Sequence, residues 1–281
     1  MLLSLKRWSC VVLALLSSSL YAGDFSNAMQ AALRNEAKAT ADKPDSPQTL
    51  QLIDRVAVAY LQAMQAQDNF KALHAQIHAV VMQRNFIRRN YLNGQDLYTE
   101  LAKSRGRIST LLAHWIDARE QVQLQRKLLS NLTSGALSEV SGSTFTYIPS
   151  PLDATSPESK LTRKGLHFNE ESGNESSINL DVLRLYQAVQ VGDSQLSAFK
   201  NALEWNLEAL ESTAKTQDTT DQPHPDMLDT MDRVLQAQND LSKARYDNLY
   251  QRIRLCAQGG MAAEAIAAHI DALLLGQDSS P

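Results

Sequence analysis

Two long helical segments within residues 48–135, separated by Asn93-Gly94, constrain the fold more than any other feature of the chain. In the second segment, apolar and small residues recur in steps of four and three, which average 3.5 residues, the period of a coiled coil. This seam consists of Leu97, Leu101, Ser104, Ile108, Leu111, Trp115, Ala118, Val122, Gln125, Leu129 and Leu132. A helix of about 36 residues extends roughly 54 Å, so a compact domain cannot bury its stripe. We therefore predict that it packs along the preceding helix as an antiparallel hairpin.

The preceding segment supplies apolar residues at mixed three- and four-residue steps: Leu50, Ile53, Ala57, Tyr60, Met64, Phe70, Leu73, Ile77 and Val80. Asn and Gly tolerate the left-handed conformation that ends a helix, so residues 92–96 are predicted to form a tight turn. Ser104 and Gln125 are polar positions on the seam. Water would satisfy them in a hollow helical barrel, whereas a closed two-helix hairpin would have to pair them.

The composition favours an all-α protein. The chain has only 11 Gly and 8 Pro among 281 residues, against a background of about 7% and 5% of residues. They fall mostly in the leader, at helix breaks and in one middle segment. No long alternating pattern occurs, and residues 143–148 are compatible with at most one short strand. We predict little or no β structure.

The first 22 residues resemble a secretory signal peptide, with Lys6 and Arg7 before a short apolar run and small residues before a cleavage point. The apolar run is shorter than the roughly 20 residues that span a bilayer, and an uncleaved signal anchor is the alternative. The chain is therefore predicted to be exported. Residues 24–27 then offer N-cap side chains for an Ala-rich helix predicted over 28–41. The net charge of −4 becomes more negative without the leader, which argues against nucleic-acid binding.

The second half of the chain repeats the plan of the first. A helix from about residue 178 to 214, a polar break and a returning helix over 226–258 precede Gly259-Gly260 and a short Ala-rich helix. At an offset of 126 residues, Ala118, Arg119, Gln125, Arg126 and Leu129 align with Ala244, Arg245, Gln251, Arg252 and Leu255. Identities in this order suggest a duplication.

The predicted organisation has four parts. Residues 1–22 are a signal peptide and residues 23–135 a first helical-hairpin repeat. Residues 136–177 are rich in Ser, Pro, Gly and Glu, and we predict a polar linker without regular order. Residues 178–281 are a second helical-hairpin repeat that ends in a short helix.

Motifs in both halves resemble one known family. In the second repeat they are Val234-Leu235-Gln236-Ala237-Gln238, Ala244-Arg245-Tyr246-Asp247-Asn248-Leu249, and Arg254-Leu255 before Gly259-Gly260. In the first repeat they are residues 25–35, residues 60–67 and the turn Leu92-Asn93-Gly94. Their types and order resemble the TolC family of outer-membrane efflux and type I secretion ducts, over roughly residues 25–135 and 195–275.

The resemblance implies two repeats of long antiparallel hairpins and a homotrimeric duct in the outer membrane or periplasm. It implies partners: a periplasmic adaptor protein that meets the hairpin tips, and an inner-membrane pump that supplies energy. The implied adaptor-contact residues are Leu92, Asn93, Gly94, Gln95, Asp96, Asp229, Asp232, Arg233 and Gln236. The acidic ring of the family is altered, because its two aspartate positions fall on Arg233 and Gln236.

The chain departs from the family where membrane strands are expected, since such strands need about 9–11 residues of alternating pattern. Residues 39–50 leave no room for two strands, and residues 178–214 follow a helical period. We therefore expect the strands to be missing. The alternative function is a periplasmic coiled-coil scaffold that binds partners and conducts nothing.

No enzyme, cofactor or metal motif is predicted. His74 and His78 lie one helical turn apart but lack the Glu of a metalloprotease helix and an evident third ligand. Cys256 lies in an apolar helical stretch and is interpreted as a core residue. Near the first turn, six cations form either a solvated end or a partner-binding patch: Arg84, Arg88, Arg89, Lys103, Arg105 and Arg107.

Overall fold

A computed structural model describes residues 24–39, 47–135, 156–160 and 180–275. In these residues the helices are α1 (Asp24–Ala39), α2 (Pro47–Leu92), α3 (Tyr98–Leu132), α4 (Leu180–Thr220), α5 (Met227–Gln258) and α6 (Ala263–Leu275). Residues 157–160 form one further helical turn, and no strand occurs in the described part of the chain. The prediction of an all-α fold is confirmed. None of the described helices combines the length and the apolar character needed to cross a bilayer.

The chain divides into two compact units. The first, which we call the turn unit, consists of Ala66–Val122 and Ala198–Ser242 and contains the α2–α3 and α4–α5 turns. The second, the terminal unit, consists of the described residues of Ser18–Gln65, Gln123–Ser197 and Lys243–Pro281. Each unit contains parts of both predicted repeats, so the repeat boundaries stay a prediction drawn from the sequence.

The coiled-coil seam of α3 lies where the sequence places it, because every seam position is buried or half-buried. In the turn unit, the rings of Phe70 on α2 and Trp115 on α3 stack with their centroids 5.3 Å apart. The Ser104 hydroxyl donates to the carbonyl of Leu101 at 2.8 Å, so its own helix satisfies it. The Gln125 Oε1 is buried and has no hydrogen-bond partner among the described residues.

Helix α2 ends in a turn that depends on Gly94. This residue has φ = 93°, a left-handed conformation. The Gly94 N–H donates to the Tyr91 carbonyl at 3.1 Å and the Gln95 N–H donates to the Asn90 carbonyl at 3.2 Å. These two bonds form a Schellman motif and satisfy carbonyls at the end of the helix. The predicted tight turn is therefore present between α2 and α3.

The same substitution should have opposite effects at two glycines of the turn unit. A Cβ at Gly94 meets nothing within 4 Å, so the only cost of Gly94→Ala is the strain of a left-handed backbone at a non-glycine residue. This strain should lower the unfolding free energy by about 1–2 kcal/mol. A Cβ at Gly106 inside α3 also meets nothing within 4 Å, so Gly106→Ala should add roughly 0.5–1 kcal/mol. Urea unfolding measures both variants, and effects of equal sign would contradict this description of the turn.

The terminal unit has a core in which α1 packs against α2 and α6. Phe25 is fully buried, and its ring lies 5.1 Å from that of Tyr60. Asp271 on α6 accepts the backbone N–H groups of Phe25 at 3.2 Å and Ser26 at 3.0 Å, and also the Ser26 hydroxyl. A carboxylate at a helix N-terminus satisfies unpaired N–H groups and favours the helix dipole. Helix α1 therefore begins at Asp24, four residues before the start that the sequence predicts.

Several predictions fall wholly or partly outside the described residues. The signal peptide at 1–22 and the short strand at 143–148 lie outside them. Of the predicted linker, residues 156–160 are described and form a bend and a helical turn. The helical period predicted over 178–214 is confirmed for residues 180–214, whereas residues 40–46 are not described.

Candidate functional site

The predicted contact residues of the first turn are mostly exposed. Leu92 is 72% exposed, which is unusual for a leucine next to a helix end. Asn93, Gly94 and Asp96 are exposed, and Gln95 is half-buried. Tyr91 and Tyr98 flank the turn and are 39% and 66% exposed. The turn therefore presents apolar and aromatic side chains beside polar ones, a combination that is enriched at protein interfaces.

The other predicted contact residues lie on one face at the start of α5. Asp229, Asp232, Arg233 and Gln236 follow one another in steps that place them on the same side of a helix. Asp229, Arg233 and Gln236 are exposed, and Asp232 is half-buried. The Gln236 side-chain amide donates to the carboxylate of Asp240 at 2.9 Å. The opposite face of α5 is buried within the turn unit through Met231, Val234 and Leu235.

A buried amide pair joins α2 to α4 beneath the two turns. Gln83 and Gln217 each donate from Nε2 to the other's Oε1 at 2.9 Å, and both residues are buried. The Gln217 Oε1 also accepts the backbone N–H of His224 at 3.0 Å, in the α4–α5 turn. At the surface, Arg89 donates to Asp221 at 3.2 Å. These polar contacts hold the α4–α5 turn against α2, and no local pattern in the sequence predicts them.

Much of the predicted cation patch is neutralised within the turn unit. Arg89 pairs with Asp221, Lys103 with Glu100 at 3.0 Å, and Arg107 with Asp232. Arg84 donates to the side-chain oxygen of Asn85 at 3.2 Å, and Arg88 and Arg105 are exposed. The patch therefore offers less positive charge to a partner than its sequence suggests.

Asp232 lies between helices in an environment that disfavours its charge. Burial raises the pKa of this carboxyl above its ordinary value of 3.8, and the charge of Asp229 raises it further. The Arg107 guanidinium and a hydrogen bond from Gln76 oppose this effect without reversing it. Desolvation outweighs the attraction of a close ion pair, as expected where two charges share a partly buried site.

The raised pKa of Asp232 predicts a pH dependence that Asp232→Asn removes. A carboxyl with a raised pKa in the folded state stabilises the fold below its unfolded pKa and loses that effect as the pH rises through the folded pKa. The unfolding free energy of the wild type relative to Asp232→Asn should therefore fall between about pH 4 and about pH 7, by less than about 1 kcal/mol for a partly exposed pair. Urea unfolding at both pH values measures it.

Arg107→Gln provides the control for this dependence. Since Arg107 lowers the pKa of Asp232, its removal should raise that pKa further. In the Arg107→Gln background, the unfolding free energy of the chain with Asp232 should therefore fall more steeply with pH, relative to the chain with Asp232→Asn, than it does with Arg107 present. If the unfolding free energy of the wild type instead rises relative to that of Asp232→Asn between about pH 4 and about pH 7, the raised pKa of Asp232 is contradicted.

A second polar cluster lies in the terminal unit and surrounds Arg252, whose side chain is 2% exposed. Its guanidinium donates to Glu158 at 3.3 Å, to Asp193 at 2.8 Å and to the Asn248 side-chain oxygen at 2.9 Å. The Asn248 amide in turn donates to the Val189 carbonyl at 3.2 Å and to Asp193 at 3.0 Å. This cluster fixes residues 156–160, α4 and α5 to one another.

Burial raises the pKa of Glu158, but the hydrogen bond and charge of His269 and the charge of Arg252 outweigh burial, so the net shift is downward. Cys256, predicted to be a core residue, is fully buried in the same unit. His74 and His78, which lie one helical turn apart without an evident third ligand, are exposed on α2.

Solved structures share this fold, whereas two sequence comparisons found nothing. No protein-family model matches the sequence, and no curated protein matches it. The crystal structure of the outer membrane protein VceC from Vibrio cholerae matches with a TM-score of 0.57 at 13% identity, covering 84% of this chain and 74% of VceC. CusC, whose structures concern transmembrane channel formation, matches with a TM-score of 0.49 at 12% identity, covering 92% of this chain and 96% of CusC. The match to VceC shows that the described helices adopt a TolC-like fold.

Proposed function

We propose that this chain is an exported, TolC-like component of an envelope efflux or type I secretion system. It would conduct passively through a helical duct, while an inner-membrane pump supplies the energy. The observation that carries the proposal is the fold shared with an outer membrane protein. The order of the sequence motifs supports it independently. The proposal assigns no catalytic step to the chain.

Docking is proposed to use the two turns of the turn unit. Leu92 and Tyr98 are 72% and 66% exposed on either side of Gly94. Polar contacts through Gln217 and Asp221 hold the α4–α5 turn against α2. Interfaces derive most of their binding energy from a few apolar and aromatic anchors. A periplasmic adaptor that covers Leu92 and Tyr98 would bury surface that water otherwise contacts.

Assembly into a homotrimer is proposed to use two exposed apolar surfaces of α3. Leu112 and Ile116 in the turn unit are 42% and 53% exposed. Leu124 and Leu128 in the terminal unit are 49% and 44% exposed. Each pair is four residues apart and therefore shares one side of the helix, and the two pairs flank the buried seam on different sides. Further copies of the chain are the proposed occupants of these two surfaces.

In-cell cross-linking from Gln95→Cys tests docking. The native Cys256 is buried and burial raises the pKa of its thiol, so it should not react. The matched control is Arg119→Cys, an exposed position on α3 away from both turns. We expect the Gln95→Cys variant to capture an adaptor protein that mass spectrometry identifies, and the Arg119→Cys variant not to capture it. Capture of the chain's own copies alone, or of the same products from both positions, would contradict adaptor docking at the turn.

A further inference from the structure

Three metal-binding side chains from distant parts of the sequence converge in the terminal unit. They are Glu158 in the helical turn 157–160, Cys256 near the end of α5 and His269 in α6. One ligand atom from each lies within 4.8 Å of the other two. Glu158 and Cys256 are fully buried, and the His269 side chain is 9% exposed. We propose that Glu158, Cys256 and His269 form a binding site for a divalent ion of the zinc class.

The donor set fits that class of ion. Zinc binds thiolate, imidazole and carboxylate groups at bond lengths of about 2.0–2.3 Å. Tetrahedral bonds of that length separate ligand atoms by roughly 3.3–3.7 Å. The His269 Nε2 lies 2.8 Å from the Glu158 Oε1, so these two atoms would move slightly apart around an ion. Calcium and magnesium prefer oxygen ligands alone, and a thiol disfavours them.

The surroundings provide the support that a bound ion needs. Arg252 donates to the Glu158 Oε1 at 3.3 Å and so orients the carboxylate. Partners of this kind position metal ligands and affect affinity strongly. Three protein ligands leave a fourth position for water.

The thiol proton determines how binding depends on solution conditions. A cysteine thiol ordinarily carries its proton at neutral pH, and zinc binds the thiolate. When the ion binds sulfur, that proton leaves to solvent, and the ion replaces it as the positive partner of the sulfur. Binding should therefore release at least one proton for each ion.

The site would attach the helical turn 157–160 to α5 and α6. Glu158 already contacts both, through Arg252 on α5 and His269 on α6. An ion would add a bond to Cys256 and close a long segment of chain between residues 158 and 256. The role is structural, and it does not depend on the proposed duct function.

Cobalt and zinc titrations of the full chain test the site. Both use a His74→Ala/His78→Ala background, which removes the exposed histidine pair on α2. We expect one ion per chain, a thiolate-to-cobalt charge-transfer band, and at least one proton released per ion. Cys256→Ser, nearly equal in size, should abolish the band and weaken zinc binding by more than about 100-fold.

The design separates a lost site from a lost fold. Circular dichroism of Cys256→Ser without metal should show unchanged helix content. The charge-transfer band is measured on the chain that keeps Cys256, so it tests sulfur ligation even if Cys256→Ser fails to fold. Three results would overturn the proposal. Cobalt could bind without the charge-transfer band, or Cys256→Ser could bind zinc as tightly as the chain with Cys256. The His74→Ala/His78→Ala background could also bind no zinc while the wild type does.

Discussion

Arg252→Met should lower the unfolding free energy by about 3–5 kcal/mol, the usual cost of removing one partner from a buried ion pair. The guanidinium bridges Glu158 and Asp193, whose side chains are 0% and 8% exposed. Met fills a similar volume but offers no positive charge, so two carboxylates remain in a poorly solvated site. The Asn248 side-chain oxygen also loses the bond from Arg252 Nε.

Arg254→Met on the same helix is the matched control. Arg254 is half-buried and contacts the ring of Tyr250 at 5.8 Å from its centroid, an interaction that contributes about 1 kcal/mol or less near a surface. Urea unfolding of both variants, followed by circular dichroism, makes the comparison. If Arg252→Met costs no more than Arg254→Met, the cluster does not hold residues 156–160, α4 and α5 together.

Gly192→Ala should destabilise the protein by about 1–3 kcal/mol, the usual cost of an overpacked position. The sign is unusual, since Ala stabilises a helix interior by roughly 0.5–1 kcal/mol relative to Gly. A Cβ at Gly192 would lie 2.6 Å from the Asn248 Nδ2 and 3.4 Å from its Cβ and Cγ. Asn248 cannot move away without losing its bonds to Val189, Asp193 and Arg252.

A double-mutant cycle identifies the cause of this effect. In an Asn248→Ala background, the Nδ2 at 2.6 Å and the Cγ are gone and only an ordinary contact with Cβ at 3.4 Å remains, so Gly192→Ala should cost much less than it does alone. Gly106→Ala, at an open position in α3, is the control for helix propensity. A stabilising Gly192→Ala, or equal costs in both backgrounds, would show that Asn248 does not restrict this position.

Local pattern was sufficient to predict the helices and the first turn. The 3.5-residue period of α3 identifies which side is buried because side chains three and four residues apart share a helix face. A glycine predicts the turn because it adopts left-handed backbone angles that side chains disfavour, and Gly94 has φ = 93°. These features depend on neighbours in the sequence and can be recognised there.

Contacts between distant residues could not be predicted in this way. Helix α1 begins at Asp24 with Asp271 of α6 at its N-terminus, and the two residues are far apart in the sequence. Gln83 and Gln217 show no sequence signal beyond a polar residue next to an apolar stripe. In the sequence, Arg252 is distinguished only by its identity with Arg126 at the offset of 126 residues. That identity does not indicate the carboxylates that surround Arg252.

Envelope fractionation followed by native mass measurement decides between the duct and the scaffold. If the chain forms a TolC-like duct, it should appear in the outer-membrane fraction as a heat-resistant trimer. Leu112→Glu/Ile116→Glu should dissociate that trimer, since charges would then face the neighbouring copy. A soluble periplasmic monomer, with a mass that these substitutions leave unchanged, would contradict the duct and favour the scaffold.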